Sequence, residues 1–286
     1  MRSLPFQVGD FSCFQAFRNA WGRKRSSTIE VLKFLCTIGL LTMFLAHGTQ
    51  ELGYNWQWYR VPQYFAVLRD GKFTAGPLLR GLVITIHICV VSSVLAFVVG
   101  LLSAMCRLSR SCIPRAAARC YIEAVRNTPL LIQIFFIYFV ISPALSLSRF
   151  ESAVLSLSLF EGAYASEIIR GGIVSVEQGH WEAAYSLGLS KYHTYIHIIL
   201  PQAVRRMLPP LTNQTVSLVK DSALVSTISI YDLTMEGQVI VADTFMTFEI
   251  WFTVAAIYLA INVGLSSVVF LLEQRLVAKN QDAKGG

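Results

Sequence analysis

Ionisable side chains inside long apolar runs are the residues of this sequence that point most directly to chemistry. Arg126 stands near the head of the run 121–143, Glu161 midway along 151–170, and Lys220 with Asp221 inside 207–231. Gln133 and Asn213 add uncharged polar groups to the same runs. A charge in hydrocarbon costs about 2.5–3.5 kcal/mol on insertion scales, so it stands where it meets a partner or a polar solute. Arg126 or Lys220 can meet a carboxylate, and Glu161 an ammonium; together they suit a zwitterion. Ser158 and Ala165 share the helical face of Glu161 and leave room beside it. The competing reading is structural: Glu161 or Asp221 neutralised by a basic neighbour within a helix bundle.

Other chemistries find little support. No H-E-x-x-H, G-x-S-x-G or paired aspartates lie in an apolar run, and no G-x-x-x-x-G-K-[ST] occurs, so the chain carries no P-loop of its own. His193 and His197 are four apart, as metal ligands can be, but only the distant His180 is available to join them. They read as solvated or interface histidines, and no metal site is expected. The six cysteines form no C-x-x-C pair and read as reduced thiols.

The elements that must hold these residues are membrane spans. Of 286 residues, 54% are hydrophobic and 14% charged, against about 25% charged in soluble domains. Mean hydropathy is +0.54. Disorder, ordinary nucleic-acid binding and a soluble enzyme are excluded. Six segments have the length and composition to cross a bilayer: 31–48, 78–106, 121–143, 151–170, 207–231 and 250–273. Residues 31–48 read as a retained helix, because no small-x-small cleavage site follows them. Placing the N-terminus in the cytoplasm puts sixteen of the 24 Lys and Arg in inside segments and four in outside ones. Both ends are then cytoplasmic, and the net charge of +7 marks inner loops, with no nucleic-acid partner. Tyr54, Trp56, Trp58, Tyr59, Tyr64 and Phe65 suit the outer interface.

The longest stretch without a span is the inside loop 171–206, GGIVSVEQGHWEAAYSLGLSKYHTYIHIILPQAVRR. It reads as helix–turn–helix. WEAAYSLG holds good helix formers, Gly188 supplies a C-cap where positive φ is cheap, and Ser190 caps the next helix. Tyr192, Tyr195, Ile196 and Ile199 follow at helical spacing. Glu182, Ala183, Ala184, Gly188, Ile198, Leu200 and Pro201 form the pattern E-A-A, three residues, G, nine residues, I-x-L-P. This pattern resembles the EAA loop of bacterial ABC importer permeases. ARCYIEAVRNTPLLIQIFFIYF, FEGAYASEIIRGGI and QTVSLVKDSALVSTISIYDL resemble further segments of the polar amino-acid uptake (histidine, glutamine and glutamate type) subfamily.

The resemblance covers about 78–273. It implies an all-α, polytopic membrane protein: a five-helix ABC importer permease core plus one extra N-terminal transmembrane helix. Residues 1–77 hold a cytoplasmic segment, that extra helix and an outer interfacial segment; 78–273 form the permease domain with its EAA loop at about 171–206; 274–286 are a cytoplasmic tail. It implies a subunit of an ATP-driven importer of a polar amino acid, leaning to glutamate, aspartate or glutamine, in the bacterial inner membrane. The implied partners are an ATP-binding cassette ATPase dimer docked on the EAA loops, a second permease subunit (the same chain or a homologue) and an extracytoplasmic substrate-binding protein. ATP and Mg would sit on the ATPase, leaving this chain without a cofactor. The alternative is an ion-coupled secondary amino-acid transporter, which usually shows internal repeats; none is found.

Overall fold

A computed structural model describes residues 27–51, 54–69 and 72–282. The chain falls into two compact units, residues 1–56 and 57–286. In the first, helix α1 (Ser27–Glu51) carries the apolar stretch Val31–Phe44. The rings of Tyr54 and Trp56 meet edge to face at 5.3 Å.

The second unit opens with a 3-10 turn (Trp58–Tyr64) and an antiparallel hairpin, β1 (Ala66–Arg69) with β2 (Lys72–Ala75). The sequence has Asp70-Gly71 between the strands, a dipeptide suited to two-residue hairpin turns. All other elements are helices. These are α2 (Pro77–Leu108), α3 (Cys112–Arg126), α4 (Leu130–Leu145), α5 (Arg149–Val174) and α6 (Gln178–Ser186). Next, α7 (Lys191–His193) passes through a π-helical turn (Thr194–Ile199) into α8 (Leu200–Asp221). A 3-10 stretch (Ser222–Ile228), α9 (Leu233–Thr244) and α10 (Thr247–Asp282) complete the chain. The fold is helical, as expected; the hairpin is the addition.

Helices α2 and α5 form the centre of the unit. Along α2 the buried positions Ser92, Ala96, Gly100 and Ala104 recur every four residues, a stripe of small side chains. A β-carbon on Gly100 would stand 2.7 Å from that of Ala165, and one on Gly162 would stand 2.8 Å from Val99 Cγ1. Only hydrogen fits at both places, so the backbones approach closely, as small residues permit between membrane helices. The Ser158 hydroxyl bonds the Val154 carbonyl at 2.5 Å within α5. Ser152, Ser156 and Ser158 thus satisfy themselves on the preceding turn and pack inward. The helix starts from a capping box: Glu151 N–H donates to Ser148 Oγ, and Ser148 N–H donates to Glu151.

The expected span 121–143 is not one straight helix. Residues 112–126 and 130–145 form two helices bent by 109°. Thr128 precedes Pro129, and a residue before proline is pushed out of the α region. The Gln133 amide closes the corner by donating to the carbonyls of Val125 (2.8 Å) and Thr128 (2.9 Å). Among the described residues, two unbroken helices are long and apolar enough to cross a membrane, Pro77–Leu108 and Thr247–Leu271. Helices α5 and α8, with 26 and 22 residues, have the length but carry too many polar groups. The expected outer loop 232–249 is largely helical. Asp232 caps α9 through Met235 N–H at 2.9 Å, and Leu233 N–H ties it to Thr85 of α2 at 3.0 Å.

Candidate functional site

The loop between α5 and α8 folds as helix, turn, helix. Gly188 has φ +75°, and its N–H donates to Tyr185 O at 3.0 Å, while Leu189 N–H donates to Ala184 O at 3.1 Å. These two bonds are a Schellman closure of α6, which needs a left-handed residue after the helix. Nothing stands within 4 Å of a β-carbon built on Gly188, so backbone conformation, not space, selects glycine. Ser190 then caps the next helix by accepting from His193 N–H, and its hydroxyl also meets His193 Nδ1 at 2.8 Å.

The two arms are joined by Trp181 and Tyr195, whose rings meet edge to face at 5.0 Å. Ile199, Ala203 and Met207 pack with Val176, Ile169 and Ala104, seating the loop on the ends of α2 and α5. Arg206 of α8 bonds the Ser175 carbonyl at the end of α5. Within the motif, Ala184 is buried and Ile198 half-buried, while Glu182, Ala183, Gly188, Leu200 and Pro201 are exposed. Leu187, 79% exposed, and Tyr192, 70% exposed, stand out from the same module. One side of the loop is therefore anchored, and the other leaves apolar groups and Glu182 exposed.

The second cluster lies between α5 and α8. Glu161 is 2% exposed, and one carboxylate oxygen accepts from the Gln214 amide at 2.6 Å. Its other oxygen is buried and has no hydrogen-bond partner among the described residues. Asp221, seven residues beyond Gln214 on α8, is close enough to act electrostatically on Glu161. No basic group forms an ion pair with Glu161 among the described residues. A cleft of about 80 Å³ adjoins it, lined by Ser93, Phe97, Ala165, Gln214 and Thr215 among others. That space suits a few waters, far below the 300–1,000 Å³ of a small-molecule pocket.

The other expected pathway residues lie apart from Glu161. Arg126 ends α3 with its guanidinium 5.3 Å from the centre of the Tyr164 ring. Gln133 serves the α3–α4 corner. Asn213 and Lys220 are exposed on α8, seven residues apart, on the stripe next to the one bearing Gln214 and Asp221. Gln214, the partner of Glu161, is not among the expected pathway residues. The seven-residue spacing of Gln214 and Asp221 was the available signal, since it puts both on one helical face. Elsewhere on α5, Glu167 pairs with Arg107 of α2 at 3.3 Å and with Arg170 at 2.8 Å.

Residues 96–278 match the family described as binding-protein-dependent transport system inner membrane component. The chain is 40% identical over 202 residues to the glutamine transport system permease protein GlnP of Escherichia coli K12, covering 70% of this chain and 92% of that one. It is 40% identical over 204 residues to the L-cystine transport system permease protein TcyB of Bacillus subtilis 168, covering 70% and 87%. Among solved structures it resembles the crystal structure of an amino acid ABC transporter with histidines, at 33% identity and a TM-score of 0.66, over 70% of this chain and 94% of that one. The close α2–α5 pair, the anchored EAA-type loop and these matches agree: the chain belongs to the family of binding-protein-dependent transport system inner membrane components, the permease subunits of ABC importers.

Proposed function

We propose that this subunit moves a polar amino acid into the cytoplasm, with Glu161 meeting the substrate's ammonium group. The observation that carries this reading is the buried Glu161 carboxylate, one oxygen held by Gln214 and the other without a hydrogen-bond partner among the described residues, beside a small cleft. Asn213 and Lys220 face outward from the same helix. Polar groups inside hydrocarbon favour a water-filled path over lipid contact, and a second permease subunit, the same chain or a homologue, would form the other wall. Lys220 and Arg126 are the candidates for the substrate carboxylate.

Among glutamate, aspartate and glutamine, glutamine fits best. Two acids, Glu161 and Asp221, repel a side-chain carboxylate but accept amide donors, and GlnP is named for glutamine transport. An ATPase dimer, holding ATP and Mg, docks on the exposed face of α6 and the turn at Gly188; an extracytoplasmic binding protein delivers substrate. Both chain ends lie in the cytoplasm, six spans cross the inner membrane, and α1 is the extra span. An ion-coupled mechanism without an ATPase has no observation in its favour.

The test is uptake of labelled amino acids by proteoliposomes holding the assembled transporter, wild type against Glu161→Gln. Glutamine should be taken up fastest by the wild type, with ATP required. ATP-independent uptake, or equal uptake of all amino acids, would overturn the reading.

A further inference from the structure

We propose that α3 lies in the plane of the inner leaflet and binds anionic phospholipid headgroups along an arginine stripe. Its direction follows from its neighbours. Leu130 and Ile134 of α4 pack with Ala153 and Leu157 of α5, so α4 runs beside α5. Helix α3 turns 109° away from α4 and therefore crosses the bundle instead of following it. Its depth follows from both ends. It begins just after α2, whose Arg107 pairs with Glu167 of α5, and it ends with Arg126 over Tyr164. Glu167 and Tyr164 are three residues apart, about 4.5 Å along a helix, whereas the 15 residues of α3 extend about 22 Å.

Around α3 the residues sort into three faces. Ala118 and Ile122 are buried against the bundle. Ile113, 82% exposed, shares a bare apolar face with Ala117, Cys120 and Ala124. Between them runs a polar stripe of Arg115 and Arg119 with Glu123. Arg115 already donates to the Ser109 carbonyl at 2.6 Å, and Glu123 is met by Asn127. Arg119 and the neighbouring Arg110 are exposed.

An apolar face beside a basic one suits the boundary between acyl chains and headgroups. Guanidinium groups bind phosphate with two parallel hydrogen bonds, so the occupant is a phospholipid carrying net negative charge. The inner side is taken from the orientation proposed above. The lipid contact is tested separately from it, since a symmetric bilayer offers the same lipid on both faces.

The assembled transporter is placed in nanodiscs of phosphatidylethanolamine with or without phosphatidylglycerol. A spin label on Cys120, the other cysteines replaced, should meet oxygen freely and an aqueous nickel chelate rarely; a label at position 119 should show the reverse. Arg119→Gln should lower the preference for phosphatidylglycerol by about fivefold, and Arg119→Lys should keep most of it. A Cys120 label hidden from both probes would mean that the ATPase or the second permease covers α3. That outcome, a Cys120 label open mainly to the nickel chelate, or a lipid preference unchanged by Arg119→Gln, overturns the proposal.

Discussion

Gln214 on α8 donates its amide to Glu161 on α5 at 2.6 Å, joining two helices across 53 residues of sequence. The pair decides what each substitution at Glu161 does. Glutamine keeps an acceptor for Gln214 and removes the charge; leucine removes both.

Glu161→Gln should therefore leave assembly and melting temperature near wild type and lower transport by about tenfold or more, the loss of one charge-assisted contact. Glu161→Leu orphans Gln214 and should cost a further 1–3 kcal/mol or so of stability. Uptake and thermal melting measured on the same preparations separate the two effects. Unchanged uptake and selectivity in Glu161→Gln would remove the residue from the pathway.

At Gly188 the constraint is φ +75° with open space around it. Asparagine tolerates the left-handed region, and a β-branched residue does not. Gly188→Asn should keep substrate-stimulated ATPase activity, while Gly188→Val should lose most of it although the subunit still inserts. Glu182→Lys, on the exposed face of α6, should uncouple in the same way without altering the turn. Full coupling in Gly188→Val would show that the turn does not shape the docking surface.

Topology is open to cysteine labelling on a background free of native cysteine. With both ends inside, a membrane-impermeant reagent should reach positions 57 and 238 from outside, but not 190 or 280. Labelling of 190 from outside would place the EAA-type loop beyond any cytoplasmic ATPase.

Much of this arrangement is legible in the sequence. Apolar runs mark α2 and α10, because burial in hydrocarbon demands continuous apolar length, and the spacing from Glu182 to Pro201 sets out the loop down to the positive φ of Gly188. The corner after Arg126 is less visible. Hydropathy has no direction, and only Thr128-Pro129 hints that the run 121–143 must break. Helix α9 lies where a loop was expected because its polar first turn, from Asp232 to Glu236, lowers its hydropathy while favouring a helix start. The link from Gln214 to Glu161 is harder to read: the spacing of Gln214 and Asp221 puts both on one helical face, but their partner is fixed only once α2 holds α5 against α8.

That support rests on Gly100, and the last prediction concerns it. A β-carbon there would press on Ala165 at 2.7 Å and stand 3.1 Å from the Gly162 carbonyl, beside Glu161. Gly100→Ala must push α2 and α5 apart, and overpacking of this kind costs about 1–3 kcal/mol. Separation would also move Glu161 relative to Gln214, so transport should fall together with the melting temperature. Ala165→Gly alone removes a methyl group and should cost less. Combined with Gly100→Ala it returns the lost space, so the double variant should regain both stability and uptake relative to Gly100→Ala. Such a sign of coupling is expected only for residues in direct contact. If the two substitutions simply add, the α2–α5 contact does not set the position of Glu161, and its placement must come from α8 instead.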